Sequence, residues 1–177
     1  IIQNNKKHKR YLKNAQSIII TLGSSYVYEH ISSGQIIANC HKQDASVFSR
    51  RILSYDECKD STVQLVKLVR SFNPTINIIL TVSPIRHVRD TLVGNSKSKA
   101  ILLNTVHHIV DHFDACDYFP AYEIMIDDLR DYRYYEDDMI HPTNKAFEYI
   151  WKLFSNSYIT LSSQDLNKKI EKILRAV

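Results

Sequence analysis

The sequence predicts an α/β protein organised on a parallel sheet, and three observations predict it. Ser17-Ile18-Ile19-Ile20-Thr21-Leu22 and Ile76-Asn77-Ile78-Ile79-Leu80-Thr81-Val82 are short runs rich in β-branched residues, continuous rather than alternating, as strands of parallel sheets tend to be. Stretches of helical periodicity separate them. Each run ends in small or polar residues, Gly23-Ser24-Ser25 and Ser83-Pro84-Ile85-Arg86-His87, at the carboxyl edge where open α/β sheets bind ligands.

The elements follow in order. Residues 5–15 are polar and read as the tail of a helix. The run at 17–22 is expected to be a buried strand. Ser33-Gly34-Gln35 is a turn, and Ile36-Ile37-Ala38 reads as a short strand leading into Asn39-Cys40-His41-Lys42. Ser54-Tyr55-Asp56-Glu57 has the spacing of a capping box. It opens a helix to about Phe72, with Leu65, Val66, Leu68, Val69 and Phe72 on one side, and Asn73-Pro74 stops it. After the second strand, a helix is predicted from Ser96 to Phe113 with Ile101, Leu102, Val106, Ile109, Val110 and Phe113 facing inward. Residues 118–126 read as a third, shorter extended piece. Pro142, with no N–H and a fixed φ, suits the first turn of a helix from Thr143 to Phe154. A last helix, about 163–177, places Leu166, Ile170, Ile173, Leu174 and Val177 on one face. The alternation argues for helices on both faces of the sheet. Three strands are few for this class, so the expectation is a single domain over 1–177 whose first β-α-β unit is missing.

Composition narrows the function classes. The chain has 177 residues, enough for one domain with a core, and its 44% hydrophobic content is ordinary for a globular protein. It contains neither a long apolar run nor a signal-peptide pattern, so no membrane partner is expected. The net charge is +4, and the basic run Lys6, Lys7, Lys9, Arg10, Lys13 has no interleaved aromatics, so it reads as a solvated face rather than a nucleic-acid site. Three cysteines, Cys40, Cys58 and Cys116, without a C-x-x-C, argue against a disulfide framework or zinc ribbon and favour a reducing, cytoplasmic compartment. The chain opens on Ile1, which reads as the interior of a longer protein.

The chemistry concentrates in Asp137-Asp138-Met139-Ile140-His141-Pro142. An acid three residues before a histidine can fold back in one turn and accept the ring Nδ1–H. That leaves Nε2 outward as a general base. Such a pair also occurs as a plain surface turn, and Asp137 competes with Asp138 for the ring. Ser24 or Ser25, past a strand-terminal glycine, is a rival nucleophile, against the alternative that both are loop hydrogen-bonders. Cys40-His41 is a poor thiol–base pair, because neighbours on an extended chain point to opposite faces. His108 and His112 have i, i+4 spacing without a third ligand, so no metal is expected. Arg86 and His87 suit a substrate anion or carbonyl, or Arg86 pairs with the acids of 127–138. Tyr132, Tyr134 and Tyr135 make a sugar-stacking wall or simply pack.

These blocks together resemble one family. Thr21-Leu22-Gly23 with Val27-Tyr28-Glu29, then Ala38-Asn39-Cys40-His41-Lys42, then Thr81-Val82-Ser83-Pro84-Ile85-Arg86-His87, then Tyr118-Phe119-Pro120-Ala121-Tyr122-Glu123-Ile124-Met125, Leu129-Arg130-Asp131-Tyr132-Arg133 and Asp138-Met139-Ile140-His141-Pro142 look like the GSCFA family, in the family's order. That family looks like a branch of the SGNH (GDSL-type) hydrolases. The resemblance implies a three-layer, flavodoxin-like α/β fold and a Ser–His–Asp site with an oxyanion hole. It places His141 as base, Asp138 as its acid, and Gly23 with Ser24 and Ser25 at the strand end where such enzymes hold an oxyanion-hole Asn. Asn39 is the nearest amide, and Asn39 and His41 are candidates to line the cleft.

The name motif, G-S-C-F-A, with its presumed nucleophilic serine, is absent from this sequence. The expected activity is therefore acyl-ester hydrolysis on a small-molecule or carbohydrate ester, without cofactor and with the nucleophile upstream. The segment alone would be inactive. A non-catalytic binding module and an O-acyltransferase are the alternatives. Nothing here reads out the oligomeric state.

Overall fold

The computed structural model describes residues 2–37 and 43–174, with side chains from His8 onward. The chain forms two compact units, Ile1–Pro120 and Ala121–Val177.

The first unit carries a three-stranded parallel sheet, β1 (Ser17–Leu22), β5 (Asn77–Val82) and β6 (Cys116–Phe119), in the order β1-β5-β6. β5 is central and buried from Ile78 to Val82. It pairs Ile18 with Ile78 and Leu22 with Val82 on one side, and Ile78 with Cys116 on the other. The sequence reading of β1 as continuously buried is corrected: its residues alternate, and Ile19 is 53% exposed. Successive side chains of a strand leave opposite faces of the sheet, and the face of β1 that carries Ser17, Ile19 and Thr21 meets solvent.

A second sheet, unread in the sequence apart from the short strand at Ile36-Ile37, is antiparallel. It orders β3 (Gln35–Ile37), β2 (Tyr26–His30) and β4 (Phe48–Ile52) as β3-β2-β4. The β2–β3 turn closes with Gly34 N–H on the His30 carbonyl at 2.8 Å, and Gly34 takes the positive φ of 66° that its missing Cβ permits. Ala38, Asn39, Cys40, His41 and Lys42 lie outside the described residues.

Three helices complete this unit: α1 (Ile2–Asn14), α2 (Tyr55–Phe72) and α3 (Thr91–His112). The capping box at α2 is present in both halves. Glu57 N–H donates to Ser54 Oγ at 3.2 Å, and Ser54 N–H to Glu57 Oε2 at 2.8 Å. Arg51 also bridges Glu57 and Glu29, and holds the Glu57 carboxyl down at about 2. Ser54→Ala removes one capping acceptor and is expected to cost about 1 kcal/mol, read from the denaturant midpoint. Asn73 ends α2 as foreseen. Its buried amide then donates to the Leu12 and Ala15 carbonyls at 3.0 and 2.8 Å, capping the carboxyl end of α1.

α3 begins five residues before the predicted Ser96, at Thr91. Gly94 in its first turn allows this, since a Cβ there would come within 2.8 Å of the Tyr26 hydroxyl. The inner face of α3 carries Lys99, Leu102, Val106 and Ile109, each at most 2% exposed.

In the second unit, residues 121–128 correct the extended reading of 118–126. The strand stops at Phe119, because Pro120 has no N–H to carry a ladder onward. A short helix α4 (Ala121–Glu123) runs into a π-turn at Ile124–Asp128. α5 (Asn144–Tyr158) is capped by Thr143, whose hydroxyl accepts from Ala146 N–H at 3.4 Å. Pro142 therefore precedes the helix instead of sitting in its first turn, and it forms an antiparallel bridge with Tyr135. α6 (Leu161–Leu174) leaves Leu166, Ile170, Ile173 and Leu174 between 45% and 71% exposed, so its apolar face is uncovered.

Candidate functional site

The Asp138–His141 pair sits in a loop closed on itself. Glu136 N–H donates to the His141 carbonyl at 2.8 Å, and Thr143 N–H to the Tyr134 carbonyl at 2.9 Å. Pro142 and Tyr135 are buried beneath it, whereas His141 and Asp138 are exposed.

One carboxylate organises the turn. Asp138 Oδ1 accepts from the backbone N–H of Ile140 at 2.8 Å and of His141 at 2.9 Å, an Asx-type turn. Its other oxygen, Oδ2, lies 2.6 Å from His141 Nδ1. The backbone bonds fix the carboxylate, and the carboxylate fixes the ring, so Nδ1 is the donor and Nε2 is left to accept a proton. The bond to His141, seconded by the two backbone N–H groups, pulls the Asp138 carboxyl down to about 2. It is ionised at neutral pH, as an orienting acid must be. Its folded pKa lies below its unfolded one. The linked stabilisation is thus present above about pH 4 and lost as the pH falls towards 2. A ¹³C carboxyl titration is expected to place the Asp138 midpoint near 2; a midpoint at the ordinary 3.8 would contradict this geometry.

Met139, between the two, holds φ at 58°, a left-handed conformation that an L side chain adopts at a cost of about 1–2 kcal/mol. Its amide donates to the Glu136 carbonyl at 2.9 Å. This torsion reverses the chain tightly enough to bring residue 141 over residue 138.

In the first unit a different group of polar atoms gathers at the carboxyl ends of β1 and β5. Gly23, Ser24, Ser25 and His87 are all there. Ser25 is 1% exposed and surrounds itself with partners: its N–H donates to Ser98 Oγ at 2.8 Å and its hydroxyl does so at 3.1 Å. Ser24 Oγ lies 3.3 Å from Ser98 Oγ and accepts from Tyr26 N–H at 3.1 Å. Both hydroxyls are spent on holding the loop. Burial, then the charge of Lys99, pushes the His87 imidazole down from its ordinary value, against a bond to the Gly23 carbonyl. Its backbone N–H is fixed by Asn95 Oδ1 at 2.9 Å. Arg86 follows β5 on the same segment and is half-buried.

The residue that sequence reasoning missed is Lys99. Its side chain is 1% exposed, and its ammonium donates to the Gly23 carbonyl at 2.7 Å and the Ser83 carbonyl at 2.6 Å. Burial lowers its pKa to about 8. The signal was available: Lys99, Leu102, Val106 and Ile109 share the inward period of α3.

The remaining candidates separate. Asn39, Cys40 and His41 lie outside the described residues. His108 and His112 stack ring on ring, with centroids 4.1 Å apart. Among the described residues no group of three or more His, Cys, Asp or Glu is arranged to hold a metal ion, and no helix is long and apolar enough to cross a membrane. The three tyrosines do not share a face open to ligand: Tyr132 is 67% exposed and Tyr135 is buried.

Comparison with known proteins bears on residues 1–154, which match the model of the GSCFA family. A search of curated proteins found no match.

Proposed function

The chain belongs to the GSCFA family, and from that premise we propose that it supplies the base of a serine esterase of SGNH type. The observation that carries the reading is the 2.6 Å contact between Asp138 Oδ2 and His141 Nδ1, made by a carboxylate that two backbone N–H groups already hold in place. Such a contact fixes the ring with Nδ1 donating to the carboxylate, so Nε2 is the nitrogen left to accept a proton from a substrate or nucleophile.

In the proposed reaction His141 Nε2 takes the proton of a serine hydroxyl as its oxygen attacks the ester carbonyl. The imidazolium, steadied by Asp138, returns that proton to the leaving alcohol, and an acyl-enzyme remains. Water then repeats the sequence: His141 takes its proton, and the serine leaves the acyl group as the free acid. The nucleophile is assigned to the serine of a G-S-C-F-A motif, which these 177 residues do not contain. The engaged Ser24 and Ser25 support that assignment. The substrate class proposed is a small or carbohydrate-borne O-acyl ester. The scheme calls on no metal or organic cofactor.

The test is hydrolysis of activated esters by the full-length protein, with a covalent serine-directed phosphonate as second readout. Turnover together with labelling of the G-S-C-F-A serine supports the reading. Transfer of the acyl group to a sugar in preference to water would move the assignment to an acyltransferase. Absence of both turnover and labelling would move it to a binding module.

A further inference from the structure

We propose that the groove between α5 and α6 is a glycan-binding site, and that it takes a β-linked glucopyranose with its ring stacked on Trp151. The site belongs wholly to the second unit and does not depend on the esterase reading. α6 lies beyond the residues that match the family, which end at 154.

The groove is built where one helix stops and the next starts. α5 ends at Tyr158, and Ile159 N–H closes on the Ser155 carbonyl at 3.0 Å. Thr160 then caps α6: its carbonyl accepts from Gln164 N–H at 2.9 Å and its hydroxyl from Ser163 N–H at 3.4 Å. The Gln164 side chain reaches back and donates to the Ser155 and Ile159 carbonyls at 3.0 and 2.8 Å. Acceptors left over at the end of α5 are thereby satisfied, and the same amide ties the two helices together. Trp151 and Asn156 of α5, with Gln164, Asn167, Lys168 and Glu171 of α6, line a groove of about 360 Å³.

The lining has two chemistries. Trp151 is 50% exposed, and its indole stacks on Phe154 with centroids 5.8 Å and planes 22° apart. Phe154 meets Tyr158 in turn at 5.0 Å. These rings recur at three and four residues along one side of α5, so the indole is steadied while half of it stays in solvent. A ring held this way loses little freedom when a ligand stacks on it. The other groups are amides, which donate and accept at once, and charges of both signs. Lys152 and Lys168 are offset by Glu171 and by Asp165, which lies 3.5 Å from Lys168, so a phosphate finds no concentrated positive charge. An apolar peptide would leave the amides and charges without partners. A pyranose suits both halves. Its axial C–H bonds make an apolar face for the indole, and its hydroxyls donate and accept as the amides do. β-Glucopyranose has every hydroxyl equatorial, so C–H alone covers its faces, and this selects it among the hexoses.

The probe is cellohexaose, titrated into the full-length protein and followed by the ¹H–¹⁵N signals of the Trp151 indole and the Asn167 side-chain amide. Both are expected to shift together and saturate with a Kd on the order of 1 mM, as one stacked ring and a few solvent-exposed hydrogen bonds allow. Read on Asn167, Trp151→Ala is expected to weaken binding at least about tenfold, and Trp151→Phe, which keeps a stacking ring, by less. Mannohexaose, whose 2-hydroxyl is axial, is expected to bind more weakly than cellohexaose. Should Trp151→Ala fail to fold, Asn167→Ala read on the indole is expected to weaken binding about threefold or more.

An indole signal that stays in place up to about 10 mM cellohexaose would overturn the site. Undiminished binding in Trp151→Ala would do the same, and equal binding of mannohexaose would overturn the choice of glucose. Binding abolished by His141→Ala would move the sugar to the acid–histidine loop and empty the groove of its role. Ester turnover is read in none of these, so the site can fail while the esterase reading stands.

Discussion

On the esterase proposal, replacing His141 by alanine in the full-length protein is expected to lower kcat for ester hydrolysis by about 10³-fold or more, because the serine would have no acceptor for its proton. The imidazole is exposed, and its backbone groups, not its ring, close the loop, so the fold should survive intact. Asp138→Asn is the sharper probe. An asparagine keeps an oxygen to accept from Ile140 and His141 N–H, so the turn persists. Its NH₂ would then face Nδ1 and donate, forcing the ring proton onto Nε2. The base would be present, in place and in the wrong tautomer, and a loss of about 10²–10⁴-fold in kcat is expected, with KM little changed. An Asp138→Asn protein as active as wild type would show that the carboxylate serves only the turn.

The largest expected effect on stability lies away from that loop, in the small sheet of the first unit. The Asp90 carboxylate is 1% exposed and meets the Arg50 guanidinium through both oxygens, the longer bond being 2.8 Å. The guanidinium lies over the Tyr26 ring, 4.4 Å from its centroid, and 5.8 Å from that of Tyr28. Arg50→Met would leave the carboxylate buried without its counter-charge, and about 3–5 kcal/mol of stability is expected to go, measured by denaturant unfolding. Arg50→Lys keeps the charge and loses the fork and the stacking, so its loss should be smaller. The double change Arg50→Met with Asp90→Leu removes both charges and should recover most of the loss. If it recovers none, the cost lies in packing rather than in the stranded carboxylate.

Local rules carried the sequence reading where one residue type decides the outcome. The Ser54–Glu57 box, the stop at Asn73 and the strands β1 and β5 were legible because caps and β-branched runs act over a few residues. The Asp138–His141 contact was legible for the same reason, being made within one turn. What failed was tertiary. The alternating exposure of β1 depends on what covers each face, which its own six residues do not encode. The β2 and β4 strands are short, β2 lies on the block Val27-Tyr28-Glu29 and β4 in a stretch that received no reading, and their pairing spans up to 26 positions, Tyr26 to Ile52. The early start of α3 depends on Gly94 meeting Tyr26, a contact between distant segments. A lysine on an inward helical face can snorkel its charge outward, but two backbone carbonyls from distant loops keep Lys99 in.

The backbone torsion at Met139 limits how this stretch can drift over generations. Glycine and asparagine fit a φ of 58° at little cost, whereas valine, isoleucine and threonine would fight it. Descendants that keep the Asp138–His141 contact are therefore confined to a narrow alphabet at the position between the two, and a β-branched letter there would mark a lineage in which the histidine has been released from its acid.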